Sequence, residues 1–279
     1  MAPKTIFITG TSAGLGNLMA LGALQRGHKV IATSRSVEKI DSLRKKGAIT
    51  LPFDVNASQE DINVAVKSIL DTHGPVDVVV NNAGYIFTGT MEEVTDQELK
   101  QQFETNVFAP VKIARAFLPD MRKRRSGTLV FFGSLASWTE FPVFGPYMSS
   151  KHAIRGIANS FMEELKPLNI RTILVEPGYT RTSLLSPTGD RNESANKISD
   201  YDNIRTTYVS IINAVHDKQP GDPKKVANLT LDSIENDSKM TDWLPTGSDF
   251  YDQVSEALQK TLTDMKADED RIKSADIEE

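Results

Sequence analysis

Tyr147 and Lys151 stand four residues apart in the stretch GPYMSSKHAIR (145–155). On a helix, residues i and i+4 share a face one turn apart, so this spacing would hold a phenol beside an ammonium group. Such a pair suits proton transfer. A carbonyl that accepts hydride gathers negative charge on oxygen and needs a donor about 3 Å away. A free tyrosine has a pKa of about 10, too high for ready exchange near neutrality. A cation close by favours the phenolate and should lower that value. The same spacing also arises incidentally on any amphipathic helix, so the pair needs company.

A second cluster follows the first apolar run. Residues 9–16 read TGTSAGLG and open a helical stretch. Gly10-Thr11-Ser12-Ala13-Gly14 fits G-x-S-x-G, the turn that exposes a serine nucleophile in hydrolases. Such an enzyme also takes an oxyanion donor from a loop after an earlier strand. Only Met1–Thr9 come before this turn, which disfavours the hydrolase reading. The competing reading is a dinucleotide site. Gly10 would allow the tight turn, Gly14 the approach of backbone to a pyrophosphate, and Gly16 the packing of helix on strand. The helix N-terminus would add N–H groups for the phosphates. The spacing is G-x-x-x-G-x-G rather than G-x-G-x-x-G, and no G-K-[ST] follows, so it is not a Walker loop. A glycine turn alone is weak evidence, because many strand–helix turns need glycine for steric reasons.

Short apolar runs alternate with helical stretches along most of the chain. They are KTIFIT (4–9), HKVIATS (28–34), AITLPFD (48–54), VDVVVNNAG (76–84), GTLVFFGS (127–134) and IRTILVEPG (170–178). Continuous apolar strands separated by helices predict a parallel sheet covered on both faces. Right-handed crossovers then give an α/β fold, a Rossmann-type doubly wound sheet in a single domain. With 279 residues, 39% of them apolar and 25% charged, the chain can bury one sizeable core. Cysteine is absent, which excludes disulfides, thiolate catalysis and Cys-based zinc sites. A net charge of −5 offers no general basic field for nucleic acid. MRKRRSG (121–127) reads instead as the cationic end of a helix, with Gly127 free to take a left-handed cap. No run approaches the roughly 18 apolar residues of a membrane span, and MAPKTIFITG lacks the apolar core of a signal peptide. A soluble cytoplasmic protein without a metal is expected.

In order along the chain, the motifs resemble those of the short-chain dehydrogenase/reductase family. They are TGTSAGLG (9–16), NNAG (81–84), Asn106 in ETNVF, Ser134, YMSSK (147–151) and PGYTRT (177–182). The likeness is close from residue 4 to about 182 and loose beyond. It implies that Tyr147 and Lys151 work beside a nicotinamide dinucleotide. Ser134 would bind the substrate oxygen and stabilise its charge, in preference to the nearby Ser137. Lys151 would also hold the nicotinamide ribose, and Asn106 would support a water relay to it. Gly10, Thr11, Ser12, Gly14, Leu15 and Gly16 would form the phosphate turn. Asp54 and Val55 would meet the adenine, and Asn81, Ala83 and Gly84 the nicotinamide riboside. Pro177, Gly178, Thr180 and Thr182 would complete the nicotinamide end. An acid closing the second strand would bind the ribose 2′-hydroxyl of NAD, whereas arginine accepts the 2′-phosphate of NADP. Ser34 stands in the acid's place and Arg35 follows, with Ser12 as a further donor, so NADP(H) is the expected cofactor.

The substrate side is expected to be apolar, built from Trp138, Phe141, Phe144, Tyr179, Leu184 and Leu185. The chain then reads as an NADPH-dependent oxidoreductase acting on a hydrophobic ketone, aldehyde or secondary alcohol. Its TGxSxGxG…ATSR pattern resembles the carbonyl, hydroxysteroid and retinoid reductases of the family. The alternative is a catalytically silent NADP(H)-binding sensor of the same fold, whose usual mark, loss of the tyrosine or lysine, is absent. Residues 1–250 are the expected catalytic domain. Within it residues 183–215 begin with a polar stretch and are expected to form a substrate lid. Residues 251–279 would be a C-terminal helix and a solvated charged tail. The family commonly pairs through the helices that here hold residues 104–123 and 147–166, so a homodimer or homotetramer is expected.

Overall fold

The computed structural model describes residues 2–186, 191–236 and 242–277. Its strands are β1 (Thr5–Ile8), β2 (Lys29–Ser34), β3 (Ile49–Pro52), β4 (Val78–Asn81), β5 (Ile86–Thr88), β6 (Gly127–Phe132), β7 (Ile170–Pro177), β8 (Arg191–Glu193) and β9 (Trp243–Thr246). The helices are α1 (Gly14–Gln25), α2 (Asp41–Arg44), α3 (Gln59–His73), α4 (Asp96–Phe103), α5 (Ala109–Arg124), α6 (Gly145–Leu165), α7 (Asp202–Val215), α8 (Pro223–Glu235), α9 (Ser248–Ala267) and α10 (Glu269–Lys273). Seven strands form one parallel sheet in the order β3-β2-β1-β4-β6-β7-β9, and β5 pairs with β8 in a separate ladder. The chain runs outward from β1 to β3, then returns to β4 on the other side of β1. That reversal opens a crevice beyond the carboxyl ends of the strands, where open α/β sheets bind ligands.

Alternation along each strand divides the core in two. Ile6 and Ile8 of β1 pack with α1 and α8 on one face. Phe7 between them packs with α3, α5 and α6 on the other. The covering helices bury residues three or four apart. Ile62, Val66 and Ile69 line the inner stripe of α3, and Ile113, Phe117 and Met121 that of α5. The Ser58 side chain accepts the Asp61 N–H to cap α3, and Gly74 closes it with a φ of 82°. The end of α5 departs from expectation. Arg125, not Gly127, takes the left-handed conformation, with a φ of 54°. Gly127 already begins β6, and a Cβ there would lie 2.5 Å from Met121 Sδ. Its lack of a side chain serves packing rather than capping.

Two features were not legible as strands. β9 contains Pro245, which has no N–H for a ladder; it is accommodated because β9 lies at the sheet edge, paired only with β7. β8 lies within the expected lid segment and pairs with β5, Ile86 opposite Arg191. Residues 187–190 of that segment, and Glu278 and Glu279 of the expected tail, lie outside the described residues. The helix expected near the C-terminus is α9, which buries Phe250 and Val254 against the body and exposes Leu258, Leu262 and Met265 farther on. Among the described residues no helix is long and apolar enough to cross a membrane, and no group of His, Asp and Glu side chains could hold a metal ion.

Phe117 is fully buried, with its ring 5.0 Å from that of Phe7. Phe117→Ala is expected to destabilise the fold by about 3–5 kcal/mol, read as a lower urea midpoint with an unchanged slope.

Candidate active site

The loops at the carboxyl ends of β1, β2, β3, β4, β6 and β7 enclose one cleft of about 750 Å³. Its floor is the glycine turn. Gly10 and Gly14 have φ of 68° and 57°, a region that side chains disfavour. A Cβ on Gly10 would stand 2.9 Å from Ala83 Cα. The turn is stitched to the loop after β4. The Thr9 hydroxyl accepts the N–H groups of Asn82 and Ala83, each at 3.0 Å. The Asn82 side chain donates to the Thr9 and Gly10 carbonyls at 2.9 and 3.1 Å. Gly10, Ser12, Ala13, Gly14 and Leu15 line the cleft.

Thr11 and Gly16 do not. The Thr11 hydroxyl is buried and donates to the Thr33 carbonyl at 3.0 Å, tying the turn to β2. Gly16 gives room to Asn82 and the Gly10 carbonyl, which a Cβ would strike. Asn81 is also absent from the lining. Its carboxamide is buried without a hydrogen-bond partner, and Asn82 does the stitching at the strand end.

Farther along, Ser34, Arg35, Ser36 and Lys39 form one rim, with Asp54, Val55 and Asn56 beside them. Arg35 is exposed and makes no ion pair or hydrogen bond among the described residues. Lys39, exposed in the short 3-10 turn that follows, stands on the same rim and was missed by motif reading; its signal was a second cation shortly after Arg35. Asp54 accepts the Asn56 N–H at 3.0 Å.

The opposite end holds Ser134, Tyr147 and Lys151. Ser134 follows β6 and accepts the Ala136 N–H at 3.1 Å, opening a short 3-10 turn. Ser137 lies beneath α6 and donates to the Lys151 carbonyl at 3.0 Å, away from the cleft. Tyr147 and Lys151 lie one turn apart on α6, with Lys151 Nζ 5.6 Å from the Tyr147 ring centre. Lys151 Nζ donates to the Phe132 carbonyl at 2.8 Å. Burial pushes the Tyr147 phenol up to about 12; the Ser134 hydroxyl hydrogen-bonded to it opposes this, and Tyr179 adds to it. The expected depression by Lys151 is therefore outweighed. Burial brings Lys151 down to about 8, against the attraction of Glu176.

Asn106 sits in a π-helical turn, residues 104–108, between α4 and α5. Such turns admit one extra residue per turn and often mark functional sites. Its side chain clamps the loop after β4: Oδ1 accepts the Tyr85 N–H at 3.2 Å, and Nδ2 donates to the Tyr85 carbonyl at 3.1 Å and to Ser150 Oγ at 3.2 Å. The carboxamide thus supports the wall of the cleft.

Pro177, Gly178, Tyr179, Thr180 and Thr182 line the near side, with Ala83 and Gly84 across from them. Asp249 of α9 accepts the Tyr179 N–H at 2.5 Å and so fixes this loop. Phe141, Phe144, Tyr179, Leu184 and Leu185 face the cleft, joined by Ile86, Met148 and Ile212. The Phe141 ring lies 5.5 Å from Phe144 and 5.2 Å from Tyr208. Trp138 is the exception among the expected pocket residues. It turns to the sheet edge, its ring 5.8 Å from Trp243 and 6.5 Å from Phe250, and its indole N–H donates to Glu176 at 2.9 Å. Of those partners, the unforeseen strand β9 supplies Trp243, while Phe250 comes from α9 and Glu176 from β7. None of the chain's four histidines lines the cleft, so Ser12 lacks the base that a serine hydrolase requires.

Between pH 8 and its ordinary pKa near 10.5, Lys151 binds fewer protons in the folded chain than in the unfolded one. Stability contributed at this site must then rise with pH. Relative to Lys151→Met, the wild-type chain should gain about 2 kcal/mol between pH 8 and pH 10 in denaturant unfolding. A difference independent of pH would show that Lys151 is not held at so low a value.

The family model described as short chain dehydrogenase matches residues 4–193. The chain is 35% identical over 237 residues to an uncharacterized oxidoreductase of Bacillus subtilis, YusZ, covering 82% of this chain and 84% of that protein. It is 36% identical over 195 residues to a 3-ketodihydrosphingosine reductase of Bacteroides thetaiotaomicron, covering 70% of this chain and 69% of that protein. The crystal structure of a short-chain dehydrogenase from Streptomyces avermitilis matches with a TM-score of 0.87 and 31% identity over 99% of both chains. The matched stretch carries the glycine turn, the strand-end loops and the Tyr147–Lys151 helix of this cleft, and on that ground the chain belongs to the short-chain dehydrogenase family of oxidoreductases.

Proposed function

We propose that the protein is an NADPH-dependent reductase of apolar ketones or aldehydes. The observation that carries this reading is the meeting of the Tyr147 phenol and the Ser134 hydroxyl at the apolar end of the cleft. The residues present suit a nicotinamide dinucleotide, because Gly10 and Gly14 leave a cradle that side chains would fill. The turn from Gly10 to Leu15 would hold its pyrophosphate, and Asp54 and Val55 its adenine. Arg35 and Lys39, with no partner among the described residues, would receive the 2′-phosphate, with Ser12 in reach of the same rim. Lys151 would bind the ribose hydroxyls, and Thr180 and Thr182 the carboxamide. When bound, this cofactor supplies the hydride.

The chain's own groups then manage the proton and the charge. Ser134 and Tyr147 would share the substrate oxygen as it turns negative. A phenol held protonated up to about 12 is loaded as a donor throughout the neutral range, which favours the reductive direction. Its proton passes to the developing alkoxide, and the Lys151 ammonium stabilises the phenolate left behind. Phe141, Phe144, Met148, Leu184, Leu185 and Ile212 keep water from that end and would select an apolar substrate without an anionic group. Leu184, Leu185 and Ile212 come from residues 183–215, consistent with a cover over the substrate. The name of the Bacteroides relative, a reductase of a keto compound, agrees with this direction. The silent-sensor alternative finds no support, since both Tyr147 and Lys151 are in place.

Tyr147→Phe is expected to lower turnover about a thousandfold while NADPH binding, followed by fluorescence titration, changes little. NADPH consumption with a panel of hydrophobic ketones and aldehydes supplies the assay, and full activity in this variant would remove Tyr147 as the acid. Arg35→Asp should reduce kcat/KM for NADPH by roughly 10–100-fold and raise the relative use of NADH. An unchanged cofactor ratio would overturn the NADP assignment.

A further inference from the structure

Three side chains follow one another at four-residue intervals along α6: Tyr147, Lys151 and Arg155. They share one face of the helix. Each meets a group at the strand ends beneath: Tyr147 meets Ser134, Lys151 the Phe132 carbonyl, and Arg155 the carboxylate of Glu176. Glu176 is fully buried and does not line the cleft. It lies two residues past Leu174, which packs with Ile154 and Ala158 of α6, so strand alternation turns it toward the same helix. Gly133, just past the neighbouring strand, leaves the space it fills: a Cβ there would lie 2.7 Å from Glu176 Oε1.

The hydrogen bonding of this carboxylate is lopsided. Oε2 accepts the indole N–H groups of Trp138 and Trp243 at 2.9 and 2.7 Å. Arg155 Nε stands 3.6 Å from Oε2, too far for a hydrogen bond, and its guanidinium stacks 3.9 Å from the Trp138 ring centre. Oε1 has no hydrogen-bond partner. Two indole donors would be satisfied by a neutral amide, so the packing does not require a charge here. A buried charge with a bare oxygen is costly unless a nearby cation answers it.

We propose that Glu176 is a positioning residue whose buried charge keeps Lys151 an ammonium aimed at the Phe132 carbonyl and the Tyr147 ring, with Arg155 moderating that charge from the next turn of α6. The consequence for turnover rests on the reductase reading; the electrostatic coupling does not. The attraction of Glu176 already opposes the burial that lowers Lys151. The other titratable groups around this row are Tyr147 on the same helix, Tyr85 in the loop after β4 and Tyr179 after β7. Asp249 faces Tyr179, not Lys151. The signs are opposed: removing the anion makes Lys151 lose its proton more readily, and removing the neighbouring guanidinium makes it hold the proton longer.

The test is a pH titration of lysine side-chain carbon resonances by NMR, with Lys151→Met identifying the signal. Glu176→Gln keeps an acceptor for the indoles and should move the Lys151 midpoint lower by roughly one pH unit. Arg155→Met keeps the stem over Trp138 and should move it higher. The alkaline limb of kcat should follow the two midpoints in opposite directions. A midpoint unmoved in both variants, or moved the same way in both, overturns the proposal. Should Glu176→Gln not fold, an unmoved midpoint in Arg155→Met overturns it alone. Opposed shifts without turnover on any carbonyl would support the proposal and refute the reductase reading instead.

Discussion

An ammonium group placed inside a protein loses its hydration, and the fold around it must make up the loss. Lys151 is such a group, nine-tenths buried at the end of the sheet. The Phe132 carbonyl receives one of its protons, and Glu176 supplies the opposing charge from the adjacent strand. Much of the local architecture serves that arrangement. Gly133 makes room for the carboxylate, two indoles hold one of its oxygens, and the β6–β7 register brings Phe132 beside Val175. Helix α6 is therefore located by polar contacts at its start and by apolar packing of Ile154 and Ala158 farther on.

The cleft is electrically graded along its length. One rim carries two exposed cations, Arg35 and Lys39, suited to an anionic group that arrives with its own charge. The floor carries no charged side chain, only backbone and small residues held by Thr9 and Asn82. The far end is apolar, with the phenol of Tyr147 as its main polar contact alongside Ser134. Excluding water there strengthens each remaining electrostatic interaction. The same burial that makes this end of the cleft apolar also keeps the phenol protonated, so the two features have one physical origin.

The parts of the site visible in the sequence were those whose chemistry is local. Glycines at Gly10 and Gly14 are demanded by backbone angles, and Tyr147–Lys151 by helical spacing. What stayed hidden depended on side-chain direction. Trp138 directly follows Ser137 in the turn after β6, and its ring partners Trp243 and Phe250 lie more than a hundred residues on. The π turn that carries Asn106, and the clamp its carboxamide makes on the Tyr85 backbone, likewise depend on segments that meet only in the fold. Of the adjacent Asn81 and Asn82, identical in type, only the one just past the end of β4 reaches the glycine turn.

The sequence by itself determined the alternation of strand and helix, the parallel sheet and the turn that ends β1, because apolar periodicity and glycine conformations are set by residues close together in the chain. Only the tertiary structure decided which side chains share an environment. It brought Glu176 beneath Lys151, turned Trp138 to the β9 edge and let burial overrule the cation beside Tyr147. Desolvation depends on everything packed around a group, and that environment exists only once distant segments have met.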